Sequence, residues 1–450
     1  MAQDLTKGNP FTTIFTFSLP VIGGNLFQLF YTLADTIIVG QTLGADALAA
    51  VGATTTIIYL VLCFIQGITG GFGICLGHRF GLRDERGMRY SVAASTLWSI
   101  FFAIILTAVC CALSHPILHW LNTPELIYDM AYDYMIAVLL GTGATVFYNL
   151  ISNLLRALGD SRTPLVALVI SSLLNIVLDI VFIVPFQMGV AGAAWATVLS
   201  QLVSAIFALW VGLRHFEVLH IQKEDWKACR TVLATHLKTA FPMGFQMSVM
   251  CIGQLAMQGA GNALGAGAIA GYTAATKVDQ FSVLINNAMG IAIASYAAQN
   301  YGAGQRLRIR KGVAACLMQV SLMNVAMMIL MILCRQWVAP LFVDVPTPEI
   351  VEYAGQYLLM VAPFYLLLGV LCVYRSTIQW MDNALVPFFA CIIELVMRVG
   401  ATTLLSAAIG YAGICLATPL AWIGANLILV PVYWHMIRRP ILGEQKGQHV

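Results

Sequence analysis

Charged residues are scarce in this sequence: Asp, Glu, Lys and Arg make up 10% of its 450 residues, whereas 60% are hydrophobic. A soluble globular protein carries about 25% charged residues. So few charges cannot cover the surface of a water-soluble fold of this length, whereas lipid is a solvent in which an apolar exterior costs nothing. The sequence therefore predicts an integral membrane protein. Its net charge of +3 is too small to suggest nucleic acid as a partner.

The sequence also lacks the motifs of an enzyme, a metal centre or an ATPase. The eleven cysteines form no C-x-x-C pair, and the eight histidines show no metal-ligand spacing. There is no G-x-x-x-x-G-K-[ST] phosphate-binding loop, so ATP hydrolysis by this chain is not expected. We therefore expect no enzymatic activity and no cofactor.

Twelve apolar segments are long enough to cross a membrane, since a spanning helix requires about 20 mostly apolar residues. They cover residues 11–39, 47–76, 90–113, 128–155, 164–186, 190–213, 238–260, 266–297, 312–334, 350–376, 386–408 and 412–437. The longest gap between them is polar and charged. We therefore expect an all-α membrane protein with twelve transmembrane helices. Its predicted parts are an N-lobe at 1–214, a cytoplasmic inter-lobe loop at 215–236 and a C-lobe at 237–450.

The basic residues are unevenly distributed between the predicted loops. With a cytoplasmic N-terminus, one of the 23 Lys and Arg residues (Arg335) lies in an outer loop, and three (Lys277, Arg375 and Arg398) lie within predicted helices. The other 19 lie on the cytoplasmic side, as the positive-inside rule requires. An error of one helix in the count would destroy this segregation. The pattern therefore predicts both the twelve-helix topology and the cytoplasmic location of both termini.

The two halves of the chain repeat each other. LGADALAA at 43–50 matches LGAGAIAG at 264–271, and GVAGAAWATVLS at 189–200 matches GYAGICLATPLA at 410–421, with the same offset along the chain in both cases. Each half contains an even number of helices, so both halves enter the membrane from the same side. The repeats are therefore parallel and related by an axis along the membrane normal. We expect the substrate path to run through a central cleft between the two six-helix lobes.

Several motifs of the sequence carry a family resemblance. They are Pro20, Asp35 and Gly40 in the first helix, NLLRALGDSRTP at 153–164, NIVLD at 175–179 and AQNYGAG at 298–304. Together they resemble the multidrug and toxic compound extrusion (MATE) transporters, and among these the bacterial DinF-like branch. The resemblance covers the whole chain. It implies a secondary active antiporter of the bacterial plasma (inner) membrane that exports small organic, often cationic compounds in exchange for H⁺ or Na⁺.

Two carboxylates within predicted helices of the N-lobe are candidates for ion coupling. A charged side chain at the centre of a membrane costs about 2.5–3.5 kcal/mol on insertion scales, so Asp35 and Asp179 are each expected to have a partner or a function. Asn175 lies one helical turn before Asp179 and shares its face. Thr197 lies at a similar depth on the next helix. Such oxygen ligands suit Na⁺, and two close carboxylates also suit one shared proton.

The resemblance implies that the positions of Asp35, Asn175, Asp179 and Thr197 form the cation site of the N-lobe. If the coupling ion is Na⁺, its ligands would be Asp35, Asn175 and Asp179. The alternative is structural: Asp179 would join helices through Asn175, Asp35 would face an aqueous cleft, and Thr197 would bond to its own helix.

The second half has no counterpart of these carboxylates. At the offset of the repeated motifs, Asp35 corresponds to Ala256 and Asp179 corresponds to Gly400. We therefore expect the ion site to belong to the N-lobe alone.

The C-lobe contains a different set of charges that are candidates for the lining of a cleft. Glu394 and Arg398 lie four residues apart on one helix face, which favours a buried ion pair that joins helices. A charged lining that changes partners is the alternative. Lys277 and Asp279 lie two residues apart and point to different faces, so each requires a partner elsewhere. We predict that Lys277 pairs with Glu394.

Other classes of membrane protein remain as alternatives. A lipid-linked oligosaccharide flippase shares the two-lobe architecture, but more basic residues would be expected in its cleft. A membrane enzyme would require a cluster of His, Asp or Ser at one membrane face. The loop GHRFGLRDERG at 77–87 does not match the basic motif of major-facilitator transporters. We expect a monomer whose partners are a small organic substrate and membrane lipid.

Overall fold

The computed structural model describes residues 3–121, 123–261, 266–342 and 347–438, without the side chains of residues 255–266. The described residues form sixteen α-helices and no β-strand. In chain order the helices are α1 (Pro10–Leu43), α2 (Ala45–Gly81), α3 (Glu85–Ala112), α4 (Ser114–Trp120), α5 (Glu125–Leu140), α6 (Thr142–Ala157), α7 (Arg162–Ile183), α8 (Gly189–His215), α9 (Asp225–Ala228), α10 (Leu233–Gly261), α11 (Ala266–Gly302), α12 (Arg306–Val338), α13 (Pro348–Val361), α14 (Tyr365–Trp380), α15 (Leu385–Ile409) and α16 (Tyr411–Met436).

All twelve predicted membrane segments coincide with helices. Ten helical segments among the described residues are long and apolar enough to cross a membrane, and the bent pair formed by α5 and α6 makes an eleventh. The remaining predicted span, 238–260, lies within α10, where some side chains fall outside the described set. The predicted all-α membrane fold is therefore confirmed. The fourth span of each half differs from the prediction because it consists of two helices.

The two broken spans break at equivalent positions of the repeat. In the first half, α5 and α6 meet at Gly141 with a bend of 44°. A Cβ atom at Gly141 would lie 2.0 Å from Val198 Cγ2 on α8. Only glycine at this position therefore allows the α5–α6 junction to approach α8 this closely. In the second half, a 3₁₀ turn at Ala362–Phe364 separates α13 from α14. That turn contains Pro363, which lacks the N–H of a continuous helix.

The outer surface of the helices is apolar, as lipid requires. The side chains of Leu322, Leu404 and Leu427 are 63%, 74% and 71% exposed. Leucines exposed to this extent would be costly in water, whereas hydrocarbon solvates them without penalty. This surface is consistent with the scarcity of charge in the sequence.

Ion pairs and a helix cap join the helix ends on the predicted cytoplasmic side. Asp84 begins α3 as its N-cap, because its carboxylate accepts a hydrogen bond of 2.9 Å from the backbone N–H of Gly87. The same carboxylate lies 2.8 Å from the guanidinium of Arg79. Further along α3, Arg89 lies 3.3 Å from Asp225, the first residue of α9. These contacts join the end of α2 to the start of α3, and α3 to α9, at the membrane surface, where water is available.

The chain forms two compact units. The first contains Met1–Asp4 and Gly23–Ser248, and the second contains Leu5–Ile22 and Val249–Val450. The helices α1 and α10, which open the two halves of the sequence, therefore each contribute residues to both units. The predicted lobes at 1–214 and 237–450 follow the sequence repeat, so they divide the chain differently at these two helices.

Candidate functional site

The structure brings all four predicted residues of the N-lobe site together within the first unit. Asp35 comes from α1, Asn175 and Asp179 come from α7, and Thr197 comes from α8. The carboxyl groups of Asp35 and Asp179 lie within hydrogen-bonding distance of each other. Asp179 and Asn175 are fully buried, whereas Asp35 and Thr197 are partly exposed. We call this group the carboxyl-pair site.

The orientation of the Asn175 amide follows from its neighbours. With its nitrogen toward Asp179, the amide donates a hydrogen bond of 2.9 Å to Asp179 Oδ2. Its oxygen then accepts from the backbone N–H and the hydroxyl of Thr197, both at 3.2 Å. The opposite orientation would place like groups against each other. Asn175 therefore links α8 to the carboxyl pair, in addition to the link along its own helix that its spacing predicts.

Two tyrosines complete the site, and neither was predicted from the sequence. The Tyr31 hydroxyl on α1 donates to Thr197 Oγ1 at 3.2 Å. Tyr134 on α5 lies close enough to Asp35 and Asp179 to interact electrostatically with both. Tyr31 lies one helical turn before Asp35, and this spacing is a signal that could have identified it. The Tyr134 segment carries no comparable signal.

These contacts form one directed chain of hydrogen bonds. Tyr31 donates to Thr197, Thr197 donates to Asn175, and Asn175 donates to Asp179. The other carboxylate oxygen of Asp179 and one of Asp35, both Oδ1, are buried without a hydrogen-bond partner. Buried polar atoms are normally paired, so each of these two oxygens is an unused acceptor.

The carboxyl-pair site can hold a single cation. Two adjacent carboxyl groups can share one proton, because that proton removes the repulsion between like charges. Two carboxylates, an amide oxygen and a hydroxyl oxygen are also hard ligands of the kind that Na⁺ prefers. Among the described residues, no three His, Cys, Asp or Glu side chains are grouped so that they could hold a metal ion.

The second unit contains the predicted Glu394–Arg398 pair, with a partner that the sequence did not indicate. Arg398 Nη2 lies 2.8 Å from Glu394 Oε1 on the same helix, α15. Glu394 Oε2 is bonded by Arg375 on α14. The predicted pair between Lys277 and Glu394 is wrong, because Arg375 occupies the second carboxylate oxygen. Lys277 is exposed instead.

Asp279 lies on the opposite face of α11 from Lys277, as its spacing predicted. It is 8% exposed. Its Oδ2 accepts a hydrogen bond of 3.3 Å from the hydroxyl of Tyr357 on α13. The rings of Tyr272 and Tyr357 meet edge to face at 5.4 Å. Asp279 is therefore set in an aromatic environment and forms no ion pair with the Glu394 cluster among the described residues.

Comparison with known proteins gives the family. The MatE family model matches the chain twice, at residues 20–181 and 242–404. The second match is displaced from the first by almost the same distance along the chain as the repeated motifs of the sequence. This spacing confirms the internal repeat of two similar halves.

Individual relatives cover almost the whole chain. The chain is similar to a probable multidrug resistance protein, YpnP, of Bacillus subtilis (strain 168), with 31% identity over 94% of both chains. It is also similar to an FAD transporter of Shewanella oneidensis, with 22% identity over 94% of this chain and 93% of the relative.

A solved structure shares the fold. An outward-facing conformation of a multidrug resistance MATE family transporter of the MOP superfamily superposes with a TM-score of 0.89. The two chains are 23% identical, and 97% of each is covered. The two family matches, the similarity to the Bacillus subtilis relative and the shared fold lead to one conclusion: this chain belongs to the multidrug and toxic compound extrusion (MATE) family of membrane transporters.

Proposed function

We propose that this protein is a secondary active antiporter of the multidrug efflux type, which exports small organic compounds in exchange for H⁺ or Na⁺ bound at Asp35 and Asp179. The observation that carries the proposal is the pair of adjacent carboxyl groups, each with a buried oxygen that has no partner. Such an arrangement is incomplete without a cation. The unpaired oxygens therefore favour binding of a cation, and the ionised carboxylates favour hydration of the site.

The coupling works through the cost of burying charge. When both carboxylates are ionised, their repulsion and their need for water favour an open, hydrated site. When a proton or Na⁺ neutralises part of this charge, desolvation becomes cheaper and α1 can repack against α7. Pro20 lies within α1 and leaves a carbonyl without its helical partner, so it is the place where α1 bends most easily. A coupling free energy of about 1–3 kcal/mol between cation and substrate is sufficient.

The names of the relatives support an exporter of organic compounds. One relative is called a probable multidrug resistance protein and another an FAD transporter, so the names of these relatives cover more than one kind of cargo. By analogy we propose transport without enzymatic activity in a bacterial plasma membrane, by a monomer in contact with lipid. The same names give the oligosaccharide flippase alternative no support.

The orientation in the membrane is part of the proposal. We place both termini in the cytoplasm, because the basic residues then lie almost entirely on that side. In a background without native cysteines, Gln187→Cys between α7 and α8 should react with an impermeant thiol reagent added outside intact cells. Gln222→Cys in the loop after α8 should react only after the cells are opened. The reverse labelling pattern would exclude this orientation.

The test of coupling is transport into proteoliposomes with the proton gradient and the sodium gradient imposed separately. The wild type should transport under one of them. Asp35→Asn and Asp179→Asn keep the shape of the carboxyl group but cannot cycle its charge, so each should abolish gradient-driven transport while the protein stays folded. As a control, Asp129→Asn changes an exposed carboxylate on α5 and should transport normally. Wild-type rates in either site variant would remove that carboxylate from the mechanism.

A further inference from the structure

Glu394 is shared between two arginines in the interior of the second unit. Its Oε1 is bonded by Arg398 at 2.8 Å, and its Oε2 is bonded by Arg375. The three side chains, which we call the arginine cluster, are only 7–11% exposed. One carboxylate faces two guanidinium groups, so the cluster carries one uncompensated positive charge.

The donors of the two arginines exceed the acceptors around them. Both Nε atoms are buried without a hydrogen-bond partner. Arg375 Nη1 reaches the sulfur of Met250 on α10 at 3.4 Å, and a thioether is a weak acceptor. Each guanidinium has five N–H donors in a fixed fork. The cluster thus has N–H donors without acceptors as well as an uncompensated positive charge.

The neighbouring helix α10 offers no carboxylate to the cluster. Gly253 faces Arg398, and a Cβ atom at that glycine would lie 3.4 Å from Arg398 Nη1. The following stretch, 255–266, whose side chains are not described, contains no Asp or Glu in its sequence. The ion pairs of the described residues include no second acid for either arginine. Because Gly253 has no side chain, the backbone of α10 packs close to Arg398 there and places no side-chain acceptor against it.

An excess positive charge near the middle of a membrane span is costly, and side chains of this kind mark substrate or ion pathways. Glu394 and Arg398 lie near the middle of α15, so water at the membrane surface is distant. The fork of an arginine matches the two oxygens of a carboxylate or the oxygens of a phosphate. An anion of this kind would supply both the missing charge and the missing acceptors.

We propose that the arginine cluster binds an anionic group, a carboxylate or a phosphate, of the organic compound that the protein transports. This inference rests on the proposed function and specifies its substrate class: organic anions or zwitterions in addition to cations. Arg398 makes the primary contact, because it is the more exposed of the two arginines, at 11% against 8% for Arg375. Glu394 holds both guanidinium groups in position and prevents them from binding an anion irreversibly.

A purely structural role for the cluster predicts something different. If the arginines only joined α14 to α15, Arg398→Gln would leave a neutral one-to-one pair between Arg375 and Glu394. Substrate binding would then be unchanged.

The test is equilibrium binding of two dyes that share a xanthene ring: fluorescein, which carries a carboxylate, and rhodamine 6G, a cationic ester. Full-length protein is held in nanodiscs of phosphatidylcholine, and binding is followed by fluorescence anisotropy without any ion gradient. Because no gradient is imposed, failure of coupled transport and failure of this proposal are separate results. The wild type should bind both dyes. Arg398→Gln should weaken fluorescein binding about tenfold or more and leave rhodamine 6G binding within about twofold.

Two further variants keep the result interpretable. Arg398→Lys keeps the charge but loses the fork, so its fluorescein affinity should lie between those of the wild type and Arg398→Gln. If Arg398→Gln fails to fold, this variant alone decides the question. Arg335→Gln is the matched control, since Arg335 bonds to a carbonyl of its own helix α12, outside the cluster, and it should bind both dyes normally.

Several outcomes would overturn the proposal. These are a wild type that does not bind fluorescein, unchanged fluorescein affinity in Arg398→Gln, and an equal loss for both dyes. Phosphatidylglycerol supplies a lipid phosphate as a competitor. If adding it to the nanodiscs abolishes fluorescein binding to the wild type, the cluster belongs to a lipid headgroup and the proposal fails.

Discussion

The amide nitrogen of Asn175 lies 2.9 Å from Oδ2 of Asp179, one turn further along α7. This contact gives a fully buried carboxylate a fixed donor on one oxygen and leaves the other oxygen free for a cation. The amide oxygen is held in turn by Thr197. Asn175 therefore fixes the direction in which Asp179 presents its open oxygen.

Replacing Asn175 should be costly. Asn175→Ala leaves Asp179 Oδ2 without its donor, and an unsatisfied buried polar group costs about 1–3 kcal/mol. We expect a lower unfolding temperature of the purified protein in detergent and reduced export. Asn149→Ala is the control, because the one hydrogen bond of the Asn149 side chain among the described residues goes to the backbone of its own helix, Thr145 O at 2.9 Å. If Asn175→Ala and Asn149→Ala lower the unfolding temperature and the export rate equally, the contact between Asn175 and Asp179 contributes nothing specific.

Tyr31 and Thr197 should act as one unit. Tyr31→Phe and Thr197→Val each break the same chain of hydrogen bonds, which runs from Tyr31 to Asp179 through Thr197 and Asn175. Each single variant should reduce the rate of gradient-driven export, and the double variant should be hardly slower than the worse single one. Contacting residues commonly show interaction energies of about 0.5–3 kcal/mol in such cycles. Additive effects on the export rate would show that the two hydroxyls work independently.

Gly141 should tolerate no side chain unless Val198 becomes smaller. In Gly141→Ala the new methyl group would lie 2.0 Å from Val198 Cγ2, and such overpacking typically costs about 1–3 kcal/mol. The thermal stability should recover only in part in the double variant Gly141→Ala, Val198→Ala, because Cβ of residue 198 would still lie 2.9 Å from the new methyl carbon. Gly143→Ala is the control, because a Cβ atom there has no neighbour within 4 Å. A stable single variant would contradict the close approach of α5 and α6 to α8.

His236 should make stability depend on pH. It lies in the first turn of α10, ahead of the predicted span at 238–260, and is 3% exposed. Its Nε2 lies 2.7 Å from the Ser91 hydroxyl and its Nδ1 lies 2.9 Å from the carbonyl of Val232. Burial lowers the pKa of His236 from its ordinary value of 6.5 to about 4, and the charge of Arg79 acts in the same direction.

The sign of the effect follows from proton binding. Between pH 6.5 and about 4 the unfolded chain binds a proton at His236 and the folded protein does not, so stability falls as the pH falls through this window. Unfolding temperatures measured from pH 7.5 to 4.5 should therefore drop less in His236→Gln, which keeps a polar group but does not titrate. His220→Gln, at an exposed histidine between α8 and α9, should follow the wild type. Identical slopes for all three proteins would exclude His236 as the cause.

The helices and the carboxyl pair were predictable for simple physical reasons. A membrane span must be long and apolar, and an uncompensated charge inside it is conspicuous, so Asp35 and Asp179 stood out from the sequence. The spacing of four residues that joins Asn175 to Asp179, or Glu394 to Arg398, is local and can be read along one helix.

The partners across helices were not predictable in the same way. Helical periodicity gives the face of a residue but does not identify the helix that packs against it. For this reason Lys277 was assigned to Glu394, although Arg375 on α14 is bonded there. Tyr134 was missed because it reaches the carboxyl pair from α5, which is distant in sequence. The break at Gly141 depends on the approach of Val198, a contact that no local pattern shows.

The break at Gly141 has a mechanical consequence. It is a pivot, because contact with Val198 prevents the helix from sliding at that point while the 44° bend allows each arm to tilt separately. Tyr134 lies on the arm formed by α5, seven residues before the pivot, which is a lever of about 10 Å. A tilt of about 10° would swing the tyrosine by about 2 Å relative to the carboxyl pair. A tilt of α5, which packs against α2, α3 and α8, would thus widen or narrow the space around Asp35 and Asp179.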